Sequence, residues 1–199
     1  DRSVSRGLGD VYKRQNGYFT IKLDRNLNSE RHILMSSDSE FSAETVQIKA
    51  KGLEYMNNIT KAWIPIKEVI SKEGDNSADD YIAYTFFIKN DGKENVSYKT
   101  KIVIESVIKN VDEAVRVAVY FNGKESVYAK KAKDGSPEPQ TIPFISNHLI
   151  MQQDRNDIKP GEIDRYSIVV WLEGNDPECI DDIIGGEMKM AMVITEKTK

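Results

Sequence analysis

Apolar and polar residues alternate along most of the chain from Asn16 onward. Phe19, Ile21 and Leu23 alternate with Thr20, Lys22 and Asp24, the period-two pattern of a half-buried strand. His32-Ile33-Leu34-Met35 is a short apolar run, and Val46, Ile48 and Ala50 alternate again. Trp63-Ile64-Pro65-Ile66 reads as an edge strand or extended segment, because Pro65 cannot donate to a central ladder. A short helix is predicted over Lys67 to Ser71.

In the middle of the chain, Ile82, Tyr84, Phe86 and Ile88 share one face, Asn90-Asp91-Gly92-Lys93 is a turn, and Val96, Tyr98, Thr100, Ile102 and Ile104 return. The pattern predicts a long hairpin there. A helical turn is expected at Asp112-Glu113-Ala114. Val115, Val117, Val119 and Phe121 then lead into Asn122-Gly123, a dipeptide suited to a type I′ turn, and Val127-Tyr128-Ala129 closes a second hairpin. Lys130 to Gln140 has no apolar period and carries Gly135 with two of the six prolines, so it reads as a loop. After short apolar runs at Phe144-Ile145 and Leu149-Ile150-Met151, the turn Lys159-Pro160-Gly161-Glu162 opens the last unit. Tyr166 to Leu172 and Met188 to Ile194 are strands of a hairpin-like pair around the acidic stretch Glu173 to Asp182, with Gly185-Gly186 easing entry to the final strand.

Roughly seven to nine short strands with tight turns predict an all-β fold: a two-sheet antiparallel sandwich of jelly-roll or immunoglobulin type with few short helices. With 199 residues the chain fits one such domain, over 16–199. Residues 1–15, Asp1 to Gln15, lack strand or helix period and carry a basic excess. They read as a non-native or disordered leader outside the fold.

Charge and composition narrow the function. A net charge of −4 without clustered Lys and Arg argues against nucleic acid as a partner. No apolar run reaches about 18 residues, so no membrane span is expected in this fragment. Cys179 is the only cysteine, so an intramolecular disulfide is excluded, and its acidic neighbours disfavour a thiolate. It reads as a small, half-buried side chain. His32 and His148 are far apart, and no His-Glu-x-x-His, Cys-x-x-Cys, Gly-x-Ser-x-Gly or phosphate-loop pattern occurs. No catalytic residue is assigned.

Two acidic stretches offer oxygen ligands for calcium. Asp75-Asn76-Ser77-Ala78-Asp79-Asp80 has ligands at alternate positions but lacks the glycine and the glutamate of a calcium loop. The second places Glu173, Asp176, Glu178, Asp181 and Asp182 within ten residues, where like charges repel unless a cation or solvent intervenes. Solvated loops are the plainer reading of both. Calcium at the second is the candidate cofactor, and no other is expected.

Three stretches carry a resemblance: Tyr81-Ile82-Ala83-Tyr84-Thr85-Phe86-Phe87-Ile88-Lys89-Asn90-Asp91-Gly92, Asp112-Glu113-Ala114-Val115-Arg116-Val117, and Pro160-Gly161 ahead of Trp171-Leu172-Glu173-Gly174-Asn175-Asp176-Pro177-Glu178-Cys179. In these the chain resembles the secreted Gram-positive proteins with SipW-type signal peptides, related to TasA and camelysin. The likeness is densest from Asp79 to Ile194. It implies a jelly-roll-like domain, export, and a cell-surface or biofilm-matrix location; with no catalytic motif in the chain, a non-enzymatic surface or matrix protein is expected. It also implies self-association into fibres by strand donation, with other surface or matrix proteins as partners. By position, Phe19 to Leu23 would be the donor strand. This chain shows no signal peptide. Camelysin has been called a metallopeptidase; with no zinc motif here, no catalytic site carries over. The remaining alternatives are a metallopeptidase with scattered ligands and a carbohydrate- or ligand-binding sandwich presenting Trp63, Tyr98 or Trp171.

Overall fold

In the computed structural model, residues 18–24, 32–50, 56–183 and 186–197 are described, so the leader expected at 1–15 lies outside them. The strands are β1 (Phe19–Asp24), β2 (Ile33–Ser36), β3 (Gln47–Ala50), β4 (Gly74–Asp75), β5 (Ile82–Asn90), β6 (Val96–Ile108), β7 (Val115–Phe121), β8 (Lys124–Ala129), β9 (Ile142–Pro143), β10 (Leu149–Ile158), β11 (Ile163–Leu172) and β12 (Glu187–Glu196). They form two sheets. One runs β10-β6-β12-β1-β3; the other runs β2-β5-β11-β7-β8-β9, with β4 also on β5. Pairing is antiparallel except where β1 lies parallel to β12 and β9 parallel to β8.

The all-β two-sheet sandwich is therefore as expected. Its core is filled from both sheets by the inward residue of each alternation, including Phe19, Ile21, Phe86, Ile88, Ile102, Val117, Ile168, Met190 and Met192. A further layer was not foreseen. The 3-10 turn Lys61–Trp63 and the helix Ile66–Ser71 cover the outer face of the seven-stranded sheet, where Ile59, Ile64 and Val69 pack on Ala83, Ala118, Tyr120, Val169 and Trp171. Tyr166 to Leu172 is buried throughout for this reason: its strand is covered on both faces. Pro65 stands at the entry of the helix, where its missing N–H costs nothing; of the edge strand or extended segment expected at Trp63 to Ile66, only an extended link at Ile64 remains, between the 3-10 turn ending at Trp63 and the helix starting at Ile66. The helix at Lys67 to Ser71 is present.

The strand pairings depart most from expectation. β5 and β6 do not pair: β5 is flanked by β11 and by β2 and β4, and β6 by β10 and β12. Instead of a hairpin turn, residues 91–95 form a corner between the sheets. The buried Asn90 braces this corner, its Nδ2 donating to Glu94 O and Ile158 O (2.8 Å each) and its Oδ1 accepting from Gly92 N (2.9 Å). Likewise β11 and β12 belong to opposite sheets, so the closing pair is a crossover and not a hairpin. The short run at Leu149 to Met151 is the start of a ten-residue strand whose later positions are polar because it lies at a sheet edge. The β7–β8 hairpin does form, with Asn122 (φ 49°) and Gly123 (φ 86°) both left-handed, as a type I′ turn requires. The helical turn falls at Val111–Glu113.

Among the described residues no helix is long and apolar enough to cross a membrane.

Candidate functional site

The site grows out of the strand order. β7 lies between β11 and β8, with Arg116 opposite Trp171 on one side and Ala129 on the other. The segments leaving β8 and β11 therefore emerge side by side over the start of β7. Val115, Val117 and Val119 point into the sandwich, which turns Arg116 to the outer face.

Arg116 is buried, and its Nη1 donates to Asp176 Oδ2 at 2.8 Å and to Val115 O at 3.4 Å. Asp176 Oδ1 accepts from Glu178 N at 2.8 Å, which curls the loop so that Glu178 turns inward. Glu178 Oε1 accepts from Lys133 N at 3.1 Å, tying this loop to the one after β8. From that second loop comes Glu138, whose backbone carbonyl accepts from Thr141 N and Oγ1 (3.2 and 2.8 Å). Glu138, Asp176 and Glu178 are only 5%, 4% and 8% exposed, and each contributes one oxygen to a group lying within 4.8 Å of one another.

Three carboxylates against one guanidinium leave a formal charge of −2 in a buried space. Burial pushes the Glu138 and Asp176 carboxyls above their ordinary range, with neighbouring acids adding to the effect. Glu178 moves the other way, held down first by its hydrogen bond with the Asp176 carboxyl. Buried carboxylates this close cannot all ionise freely without a cation. Glu138 Oε1 and Glu178 Oε2 are moreover buried with no hydrogen-bond partner.

Of the five ligands expected from sequence, Asp176 and Glu178 meet in this cluster. Glu173 does not: its Oε1 accepts from Trp171 Nε1 (3.2 Å) and its Oε2 from Asn175 N (3.2 Å), so it braces the turn. Asp181 is exposed at a 3-10 turn, and the side chain of Asp182 is outside the described residues. Glu138 was missed. It sits in a stretch read only as loop, about forty residues from Asp176, and the one sequence signal was an acid flanked by two prolines. In the other acidic stretch, Asp75 accepts from Ser77 N and caps a local turn, while Asp80 accepts from Asn57 N and Nδ2 and ties down a distant segment. Cys179 is half-buried beside Asn58, whose Nδ2 lies 3.5 Å from its Sγ. Of the three aromatics singled out, Tyr98 and Trp171 are buried, and Trp63 is 73% exposed.

No family model matches the chain, and no curated protein matches it. Among solved structures it is similar to a β-glucosidase from Kluyveromyces marxianus, in a complex with glucose and in a Se-Met labelled form. Identity is 10% and the TM-score 0.30 in both cases; the match covers 84% of this chain and 15% and 17% of those chains. The chain thus spans less than a fifth of their length.

Proposed function

We propose that the chain is a non-enzymatic, secreted cell-surface or biofilm-matrix protein of the TasA and camelysin kind, whose copies associate by exchanging a strand. The observation that supports this is the setting of β1. It lies inside its own sheet, parallel to β12 from Phe19–Met190 to Asp24–Thr195 and antiparallel to β3 on its other side. Phe19 and Ile21 are wholly buried and Leu23 nearly so. Burying three such side chains is worth about 5–9 kcal/mol, enough to hold a strand supplied by its own chain or by a second copy. The resemblance over Tyr81 to Cys179 supports the location and the fibre-forming class.

The sheet edges favour exchange at β1 over lateral stacking. The edge strand β10 carries Asp154, Arg155 and Asp157, while β2, β3 and β9 are four residues or fewer. Charged or short edges resist pairing with another sheet.

Protein beginning near Asn16 should form fibres visible by electron microscopy at high concentration, and Phe19→Asp should abolish them. A monodisperse monomer by sedimentation at every concentration, with no fibres, refutes the assembly. Zinc-dependent cleavage of a generic protein substrate would refute the non-enzymatic reading in favour of the metallopeptidase.

A further inference from the structure

We infer that Glu138, Asp176 and Glu178 hold one divalent cation, with Ca2+ the ion that fits, and that this ion ties the loop after β8 to the loop after β11. The inference is independent of strand exchange, since β1 lies in the other sheet.

The first support is charge. Three carboxylates and Arg116 sum to −2, which one divalent ion neutralises. The second is the unmet oxygens. Glu138 Oε1 and Glu178 Oε2 accept no hydrogen bond and belong to side chains more than nine-tenths buried, in residues that each bring a carboxylate oxygen to the same cluster. A buried carboxylate oxygen without a donor or a metal is costly, and Arg116 Nη1 donates to Asp176 and Val115 instead. The third is span. A cation bonded to oxygen at about 2.3–2.6 Å bridges ligand atoms up to about 5 Å apart, and these lie within 4.8 Å of one another.

The donor set selects the ion. Carboxylate oxygens alone suit a hard cation rather than zinc or copper, which favour imidazole and thiolate. Burial selects again: Mg2+ gives up its waters reluctantly, whereas Ca2+ accepts six to eight oxygens in a flexible arrangement. Asp176 is already oriented by Arg116 and by Glu178 N, and Glu178 by Lys133 N, so two of the loops' carboxylates are aimed before an ion arrives.

The test uses the full chain, stripped with chelator and dialysed, by calorimetry and thermal melting with Ca2+, Mg2+ and Mn2+ as separate probes. We expect one Ca2+ per chain, and a melting temperature raised by about 5–10 °C at a hundred times Kd. Glu138→Gln and Glu178→Gln should each weaken Ca2+ binding at least about tenfold, while Asp79→Asn in the other acidic stretch should leave it unchanged. Two glutamate variants guard against one failing to fold. The proposal is overturned if none of the three ions gives heat or a thermal shift. It is equally overturned if Ca2+ binding survives both glutamate substitutions or is lost with Asp79→Asn.

Discussion

Replacing Tyr98 with phenylalanine removes one oxygen from the polar clamp that joins the two sheets at the start of β11. Tyr98, on β6, is fully buried; its hydroxyl donates to Asp164 Oδ2 at 2.6 Å and lies 2.8 Å from the Tyr166 hydroxyl. Asp164 also accepts from Arg155 Nε (2.9 Å) on β10 and from Asn122 Nδ2 (3.1 Å). Burial, reinforced by Tyr166 and Asp164, drives the Tyr98 hydroxyl far above its ordinary pKa, so it stays a donor at any working pH. Tyr98→Phe keeps the ring and leaves Asp164 short of one donor. A hydrogen bond to a charged group contributes about 1.5–3 kcal/mol net. For a domain of this size each kcal/mol moves the melting temperature by about 2–4 °C, so a fall of about 3–12 °C is expected. Urea unfolding should show the same loss with an unchanged m-value. A double-mutant cycle with Asp164→Asn should give a coupling of at least about 0.5 kcal/mol. A Tyr98→Phe variant within about 0.5 kcal/mol of the parent, or a cycle with no coupling, would show that the clamp does not hold the sheets together.

Two other changes test the fold and its acid limb. Gly186→Ala would place a Cβ 2.7 Å from Ile108 O and 2.9 Å from Ile183 O, so backbone must shift, and a loss of about 1–3 kcal/mol by urea unfolding is expected. Burial pushes the Glu125 carboxyl up, but hydrogen bonds from Lys61 and Tyr120 outweigh it and hold the group below its ordinary value of 4.5. Its contribution is therefore present above that value and fades as pH falls through the lower folded one. Glu125→Gln should reduce stability at about pH 7 and leave it nearly unchanged at about pH 2, and a deficit that persists undiminished in acid would contradict this assignment.

Much of the local structure could be read directly. Phe19 to Leu23, Ile82 to Ile88 and Val115 to Phe121 announce themselves as strands because alternation along one strand is a local property, set by the face that meets the sandwich core, even though the last two are covered on their outer face as well. Asn122-Gly123 announces its turn because two successive positive φ angles demand those residue types. Asp176 and Glu178 stood out from the chain only as two of five carboxylates in a dense acidic stretch. What alternation does not encode is which sheet a strand joins. β5 and β6, and β11 and β12, carry the same period whether they pair with each other or face each other across the core. The choice was made by competition: β11, β2 and β4 occupy the edges of β5, while β10 and β12 occupy those of β6. The same non-local order brought Glu138 to the site. Its place beside Asp176 follows from β7 lying between β8 and β11, a pairing spread over some fifty residues and settled by burial of whole faces. The acidic stretch was thus visible from the chain alone, but which of its carboxylates turn inward, and the third that joins them, was decided by the packed sheets.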